Sequence, residues 1–410
     1  MPQARDDGEP VEDLDVVDFD VASRLGSPNP GGRRWLLGVL LLALVAVGFI
    51  GSRVGGSASP PARPSASPSD RTQTSPPTGP TPVSPGALAG PPVTVSDLGH
   101  SLLGAPSGWE LFGRSDGEVI RIQFALGRIT RTRVPALAST GPVTFVVTAT
   151  SAMIRPIDSV PGLLVPDGHP ARQMPTDVSA GGPFFPGPDP TQVWQQLTGT
   201  DPPVLALVGP DGVATDRRIV FGKDTTPLNA TPDGAGYLLV PGLGGVYDAR
   251  PDGMHRVTGG QVLAAGPTGW LVSDCDAAHV CANSVQDRGG HTYAMPGPAN
   301  LSIVPPGRIS PDGKVAAVFT TPPDAQHGLA LTDLTTGTTR TLGLALSADA
   351  DQSALAWSPD SRWLFVVDTA RHLRVIDPTT TDSVDPEWAP FTVTQIAIRA
   401  SPGTPPRTAS

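Results

Sequence analysis

LAWSPDSRWLFVVD, residues 355–368, and HLRVIDPTTT, residues 372–381, together decide how the chain is read. An apolar run enters a Ser-Pro-Asp turn, a second apolar run leaves it, and a third follows before Asp377 and a Thr-rich turn. The same order appears just upstream, in ISPDGKVAAVF (309–319) and GLALTDLTTGTTRTL (328–342). Ser310-Pro311-Asp312-Gly313 suits a type I turn, with Pro presetting φ at its second position and Gly fitting the fourth. Short Val-, Leu- and Phe-rich runs between such turns read as β-strands. Trp357 and Trp363 are expected to pack between neighbouring units.

Weaker copies are ATPDGAGYLLV (230–240) with GGVYDARPDGMHRVT (244–258), and WELFGRSDGEVIRIQFALGRITRTRV (109–134). The four copies resemble the repeat of TolB-like β-propellers, a WD40-like blade pattern, although the Gly-His and Trp-Asp signatures of tryptophan-aspartate repeats are absent. The resemblance implies a platform for protein interaction.

Further strands are expected at 143–148, 204–208, 218–221 and 270–273. The turns that would follow each third strand fall near Gly127, Asp167, Asp211, Asp252, Gly289, Thr336 and Thr380, at intervals of about 42 residues, the length of a four-stranded blade. The expected fold is therefore all-β: a seven-bladed β-propeller over residues 92–400, with six or eight blades as the neighbouring counts. The final run FTVTQIAI (391–398) has no partner strands after it, and the first unit begins with Trp109 as though its inner strand were missing. The last run is expected to complete the first blade and close the ring, which removes exposed sheet edges.

Four other segments flank this domain. Residues 1–34 carry eight acidic and four basic side chains, too charged and too poor in apolar surface to fold alone. They are expected to form a disordered cytoplasmic tail. Trp35 to Gly51, WLLGVLLLALVAVGFIG, is uncharged and as a helix would be roughly 26 Å long, close to the ~30 Å of a hydrocarbon core. It reads as a transmembrane helix with its N-terminus inside, because Arg33 and Arg34 precede it and only Arg53 follows closely. A cleaved signal peptide is the alternative, but the acidic leader is unlike a short basic n-region. Residues 52–91 are a Pro/Ser-rich linker, and residues 401–410 are expected to be a disordered C-terminus.

Composition narrows the function. The net charge of −10 argues against nucleic-acid binding, which needs a basic face. Lys223 and Lys314 are the only lysines among 28 basic residues, a bias that points to high-GC, bacterial coding. Cys275 and Cys281 are the only cysteines, and outside the cytoplasm they are expected to form a disulfide. A metal site built from Cys275, His279 and Cys281, with Asp274 or Asp276, is the rival reading, but it lacks a compact four-ligand set. No zinc-protease His pair, nucleophile elbow or phosphate-binding loop occurs, so no catalytic residue and no cofactor is expected. The leading expectation is a membrane-anchored, extracytoplasmic, non-enzymatic module that binds a protein or cell-envelope ligand. The alternatives are a glycan hydrolase or lyase with residues at the channel mouth, and a signalling accessory that reports through the acidic tail.

Overall fold

The computed structural model describes residues 92–400 apart from 106–107, 135–142, 157–161, 175–181, 210–211, 279, 296–305, 321–326 and 348–349. The acidic tail, the apolar run 35–51, the linker 52–91 and residues 401–410 lie outside the described residues. Among those described, no helix is long and apolar enough to cross a membrane.

Along the chain the strands come in antiparallel meanders. They begin with β1 (Val93–Asp97), β2 (Glu110–Arg114), β3 (Glu118–Gln123) and β4 (Arg128–Arg133). Next are β5 (Val143–Val147), β6 (Ser151–Pro156), β7 (Leu163–Pro166) and β8 (Arg172–Gln173), then β9 (Phe184–Pro186), β10 (Val193–Gln196), β11 (Val204–Val208) and β12 (Ala214–Val220). They continue with β13 (Thr231–Pro232), β14 (Leu238–Gly242), β15 (Gly245–Arg250) and β16 (Gly253–Thr258). Then come β17 (Gln261–Gly266), β18 (Gly269–Cys275), β19 (Cys281–Asp287) and β20 (Thr292–Ala294), followed by β21 (Gly307–Ile309), β22 (Val315–Thr320), β23 (His327–Asp333) and β24 (Thr339–Leu346). The last are β25 (Leu355–Trp357), β26 (Leu364–Val367), β27 (Leu373–Ile376), β28 (Ser383–Val384) and β29 (Gln395–Arg399).

These strands form six hydrogen-bonded sheets rather than seven separate ones. Five are single blades of four or five strands. The sixth has eight, because β17 pairs in parallel with β21 through Ala264↔Gly307 and Ala265↔Arg308. The approach of β17 to β21 needs a glycine at 266, where a Cβ would lie 2.6 Å from Ile309 Cβ; a Cβ on Gly307 would instead strike the Ala317 carbonyl of the neighbouring β22. Two expected units are thereby fused edge to edge.

Strand register explains why the sheets stand face to face. Successive side chains of a strand point to opposite sides, and here both sides are buried. Leu238 and Val240 pack with the third sheet, whereas Leu239 between them packs with β17 and β18. Ala152 and Ile154 face the first sheet, and Met153 faces the third. The core clusters accordingly link first sheet to second, second to third, third to fourth, fourth to β17–β20, and β17–β20 to β21–β24. The largest joins β21–β24, β25–β28 and the first sheet. Cores that run in a circle define a β-propeller.

The circle closes where the sequence indicates. β29 pairs antiparallel with β2 from Glu110↔Arg399 to Arg114↔Gln395, so the last strand supplies the inner edge of the first sheet. Trp109, Phe124 and Phe365 meet at this seam, with ring centroids 4.2 to 5.8 Å apart. β1 adds an unexpected fifth strand on β4 at the outer edge. Its residues are largely exposed, so the short Val93-Thr94-Val95-Ser96 alternation lines no buried face.

The repeated turns also form as read. The Gly313 amide donates to the Ser310 carbonyl at 2.9 Å, and Ser361 to Ser358 at the same distance. In each turn the Ser hydroxyl donates to the Asp carboxylate two residues on and accepts from a later amide. Gly313 has φ +75°, and Ser361 adopts φ +63° despite its Cβ. Trp357 is buried between units and donates its Nε1–H to the Arg308 carbonyl at 3.1 Å.

Candidate ligand cleft

In an antiparallel meander the first and third turns share one end and the second lies at the other. On the first-and-third-turn end, a cleft of about 610 Å³ opens between the sheets β5–β8 and β9–β12, within the ~300–1,000 Å³ of small-molecule sites. Its floor is Met153, Leu164, Met174, Val193 and Val208, the exposed end of the core shared by these two sheets. Its rim carries Thr148, Thr150, Ser151 and Thr191 as neutral polar groups, with Asp167, His169 and Arg172 from the β7–β8 turn and β8.

Among the described residues Asp167 is the only acidic one lining the cleft, and its charge is already balanced. Arg399, at the end of β29, grips it through Nη1 at 3.1 Å and Nη2 at 2.6 Å. Arg121 stands 3.4 Å away. Arg399 also donates to the Thr148 carbonyl at 3.0 Å, donates to Glu110, and lies 4.7 Å over the Phe112 ring. Glu110 is held in turn by Arg121, at 2.9 and 2.6 Å, and by Gln123 at 3.0 Å. Burial pushes the Glu110 carboxyl pKa up, but the Arg121 hydrogen bond and the Arg399 and Arg121 charges outweigh it, and the net shift is below the usual 4.5. The network ties the closing strand to the second sheet and fixes one wall of the cleft. Among the described residues, the Arg172 guanidinium alone on this rim has no anionic partner within ion-pair distance.

At the opposite end a more polar groove of about 700 Å³ lies under residues 385–392, with Glu118, Arg131, His372, Asp385 and Glu387 on its walls. Glu118 accepts from Arg131 at 2.9 and 2.6 Å, and Asp385 pairs with Arg374 at 3.2 Å.

A second buried network clasps the fourth sheet to β17–β20. The Asp233 carboxylate takes the Ala235 and Tyr237 amides on one oxygen and Arg288 on the other. Arg288 donates to the Gly266 carbonyl at 2.7 Å and lies 4.3 Å over Trp270. Asp248, also fully buried, pairs with Arg250; burial first, then the Asp233 charge, raises its pKa.

Cys275 and Cys281 face each other across β18 and β19 and are joined in a disulfide. It closes a loop that constrains the unfolded chain by about 2 kcal/mol. The two neighbouring carboxylates brace the chain locally: Asp274 accepts from Thr258 and the Gly260 amide, and Asp276 from the Ala278 and Val280 amides. His279, the remaining member of the rival metal set, lies outside the described residues, and among those described no cluster of three metal-ligating side chains occurs. The sequence reading missed Arg399, Glu110 and Arg172. Glu110 and Arg399 are 289 positions apart, so no local motif joins them.

No family model matches the sequence, and no curated protein is detectably similar to it. Among solved structures the chain is similar to TolB from Acinetobacter baumannii, at 14% identity over 71% of this chain and 82% of that one, with a TM-score of 0.38. It is similar also to the periplasmic gluconolactonase PpgL of Pseudomonas aeruginosa (16% identity, 72% and 99% coverage, TM-score 0.39). AztD from Citrobacter koseri gives 14% identity, 72% and 98% coverage and a TM-score of 0.38. Nothing about this chain's activity follows from likenesses of this size.

Proposed function

We propose that the chain is a non-enzymatic binding module: an extracytoplasmic propeller, tethered to a membrane by residues 35–51 and spaced from it by residues 52–91, that takes a protein or envelope ligand into the β5–β12 cleft. The observation that carries the reading is the chemistry of the cleft: an apolar floor, and a polar rim on which Asp167, the one carboxylate among the described lining residues, is ion-paired with Arg399. General acid–base work needs a titratable group free to exchange a proton with substrate; Asp167 is committed to Arg399 and Arg121, which leaves His169, among the described residues, without a paired carboxylate on the rim rather than in an acid–base pair. Concave, mostly apolar sites with a few placed polar groups suit binding.

Thr150 is exposed on the rim, and its side chain makes no hydrogen bond among those described, so Thr150→Trp narrows the cleft without entering the core. In cross-linking capture by the full chain in its native membrane, T150W should lose at least about tenfold of the captured envelope species at unchanged melting temperature. Removing residues 1–34 should leave capture intact. Capture that ignores T150W and disappears with residues 1–34 would transfer the function to the acidic tail.

A further inference from the structure

We propose that the β5–β12 cleft selects a small amphipathic carboxylate, an apolar group carrying one anionic head; this rests on the cleft being the ligand site. Three observations converge. The floor is apolar and holds two methionines, Met153 and Met174, whose unbranched thioethers adapt to varied apolar shapes. Among the described residues the charges at this end do not cancel: Glu110 and Asp167 are balanced by Arg121 and Arg399, which leaves the exposed Arg172 as a cation with no carboxylate partner, with the His169 imidazole also on the rim. This stands out on a chain of net charge −10. Finally, the exposed Thr150 hydroxyl adds a neutral donor at the same opening, whereas the Thr148 and Thr191 hydroxyls already donate to Ser151 and Asp189.

A ligand with an apolar body and a carboxylate head satisfies both halves. Its body covers the floor, and its head accepts charge-assisted hydrogen bonds from the Arg172 guanidinium, whose planar fork matches two carboxylate oxygens. A cationic head would meet Arg172 unfavourably, and a neutral head would forgo the charge.

The test uses three probes of one shape: 4-tert-butylbenzoate, its neutral amide and 4-tert-butylbenzylammonium. Binding is read from methyl resonances of the full chain, labelled at methionine and held in lipid nanodiscs. The benzoate should move Met153 and Met174 but not Met254 or Met295, and bind at least about tenfold tighter than the amide. Arg172→Gln should erase that preference, and the benzylammonium should not bind.

Equal affinity for amide and benzoate, or a preference that survives R172Q, overturns the carboxylate assignment and leaves the cleft as a binding site. If no probe moves Met153 or Met174 while T150W still abolishes capture, the ligand class is wrong and the site stands. If no probe moves them and T150W leaves capture intact, both readings fall.

Discussion

A chain lacking residues 390–410 will not unfold cooperatively, because the domain will not form. The deletion removes β29 and the segment leading into it, in which Phe391, Val393 and Ile396 are buried in the largest core cluster. Burying such side chains stabilises by about 1.5–3 kcal/mol each, so the loss of these three alone costs roughly 4.5–9 kcal/mol. The deletion also strips the hydrogen bonds from the inner edge of β2 and leaves Glu110 without Arg399, where breaking a buried pair costs about 3–5 kcal/mol more. The total, roughly 8–14 kcal/mol, is comparable to the ~5–15 kcal/mol by which domains are stable. Circular dichroism should show no thermal transition; a melting temperature within a few degrees of the full chain would mean that the ring does not depend on its last strand.

Arg399→Ala isolates the electrostatic part of that loss. It keeps β29 but leaves Asp167 with Arg121 at 3.4 Å as its remaining guanidinium partner and deprives buried Glu110 of one of two. The expected cost is about 3–5 kcal/mol in denaturant unfolding at neutral pH. Arg399→Lys should recover only part of it, since one ammonium cannot reproduce the two-pronged grip on Asp167 together with the bond to Glu110.

The pH dependence carries a second signature. Glu110 has a folded pKa below its unfolded value near 4.5, so its stabilisation is present above that value and is lost as pH falls through the folded pKa. Wild type should therefore lose stability below about pH 4.5 more steeply than Arg399→Ala, whose Glu110 has lost one of the charges that lower it. Equal slopes would show that Glu110 gains nothing from Arg399.

What was legible in the sequence depended on local chemistry. Ser310-Pro311-Asp312-Gly313 and its copy at Ser358 announce themselves because each residue type serves one torsion or one hydrogen bond of the turn. The expected turns near Gly127, Asp167, Asp252, Gly289, Thr336 and Thr380 each join the third strand of a meander to its fourth; Asp211 lies outside the described residues. The unpartnered run FTVTQIAI revealed ring closure because a sheet edge needs a partner, although the strand itself begins only at Gln395.

Features that depend on distant approach were not legible. Gly266, which lets β17 approach Ile309 of β21 and so fuses two units into one sheet, stands in no motif of the repeat. β8, β13 and β28, of two residues each, are too short for any alternation. The cleft lies between the second and third units, the most irregular copies of the repeat. Its charge balance turns on Arg399, whose partners Asp167 and Glu110 lie 232 and 289 positions away.

The central claim, that the last strand closes the propeller and anchors the cleft wall, is tested most directly by native-state amide hydrogen exchange across β29. The alternate amides of β29 that point at β2 should open with the same free energy as β2 and β3, because pairing makes them part of the globally cooperative core. Exchange of these amides at the rate of a frayed terminus, with β2 and β3 still protected, would contradict it.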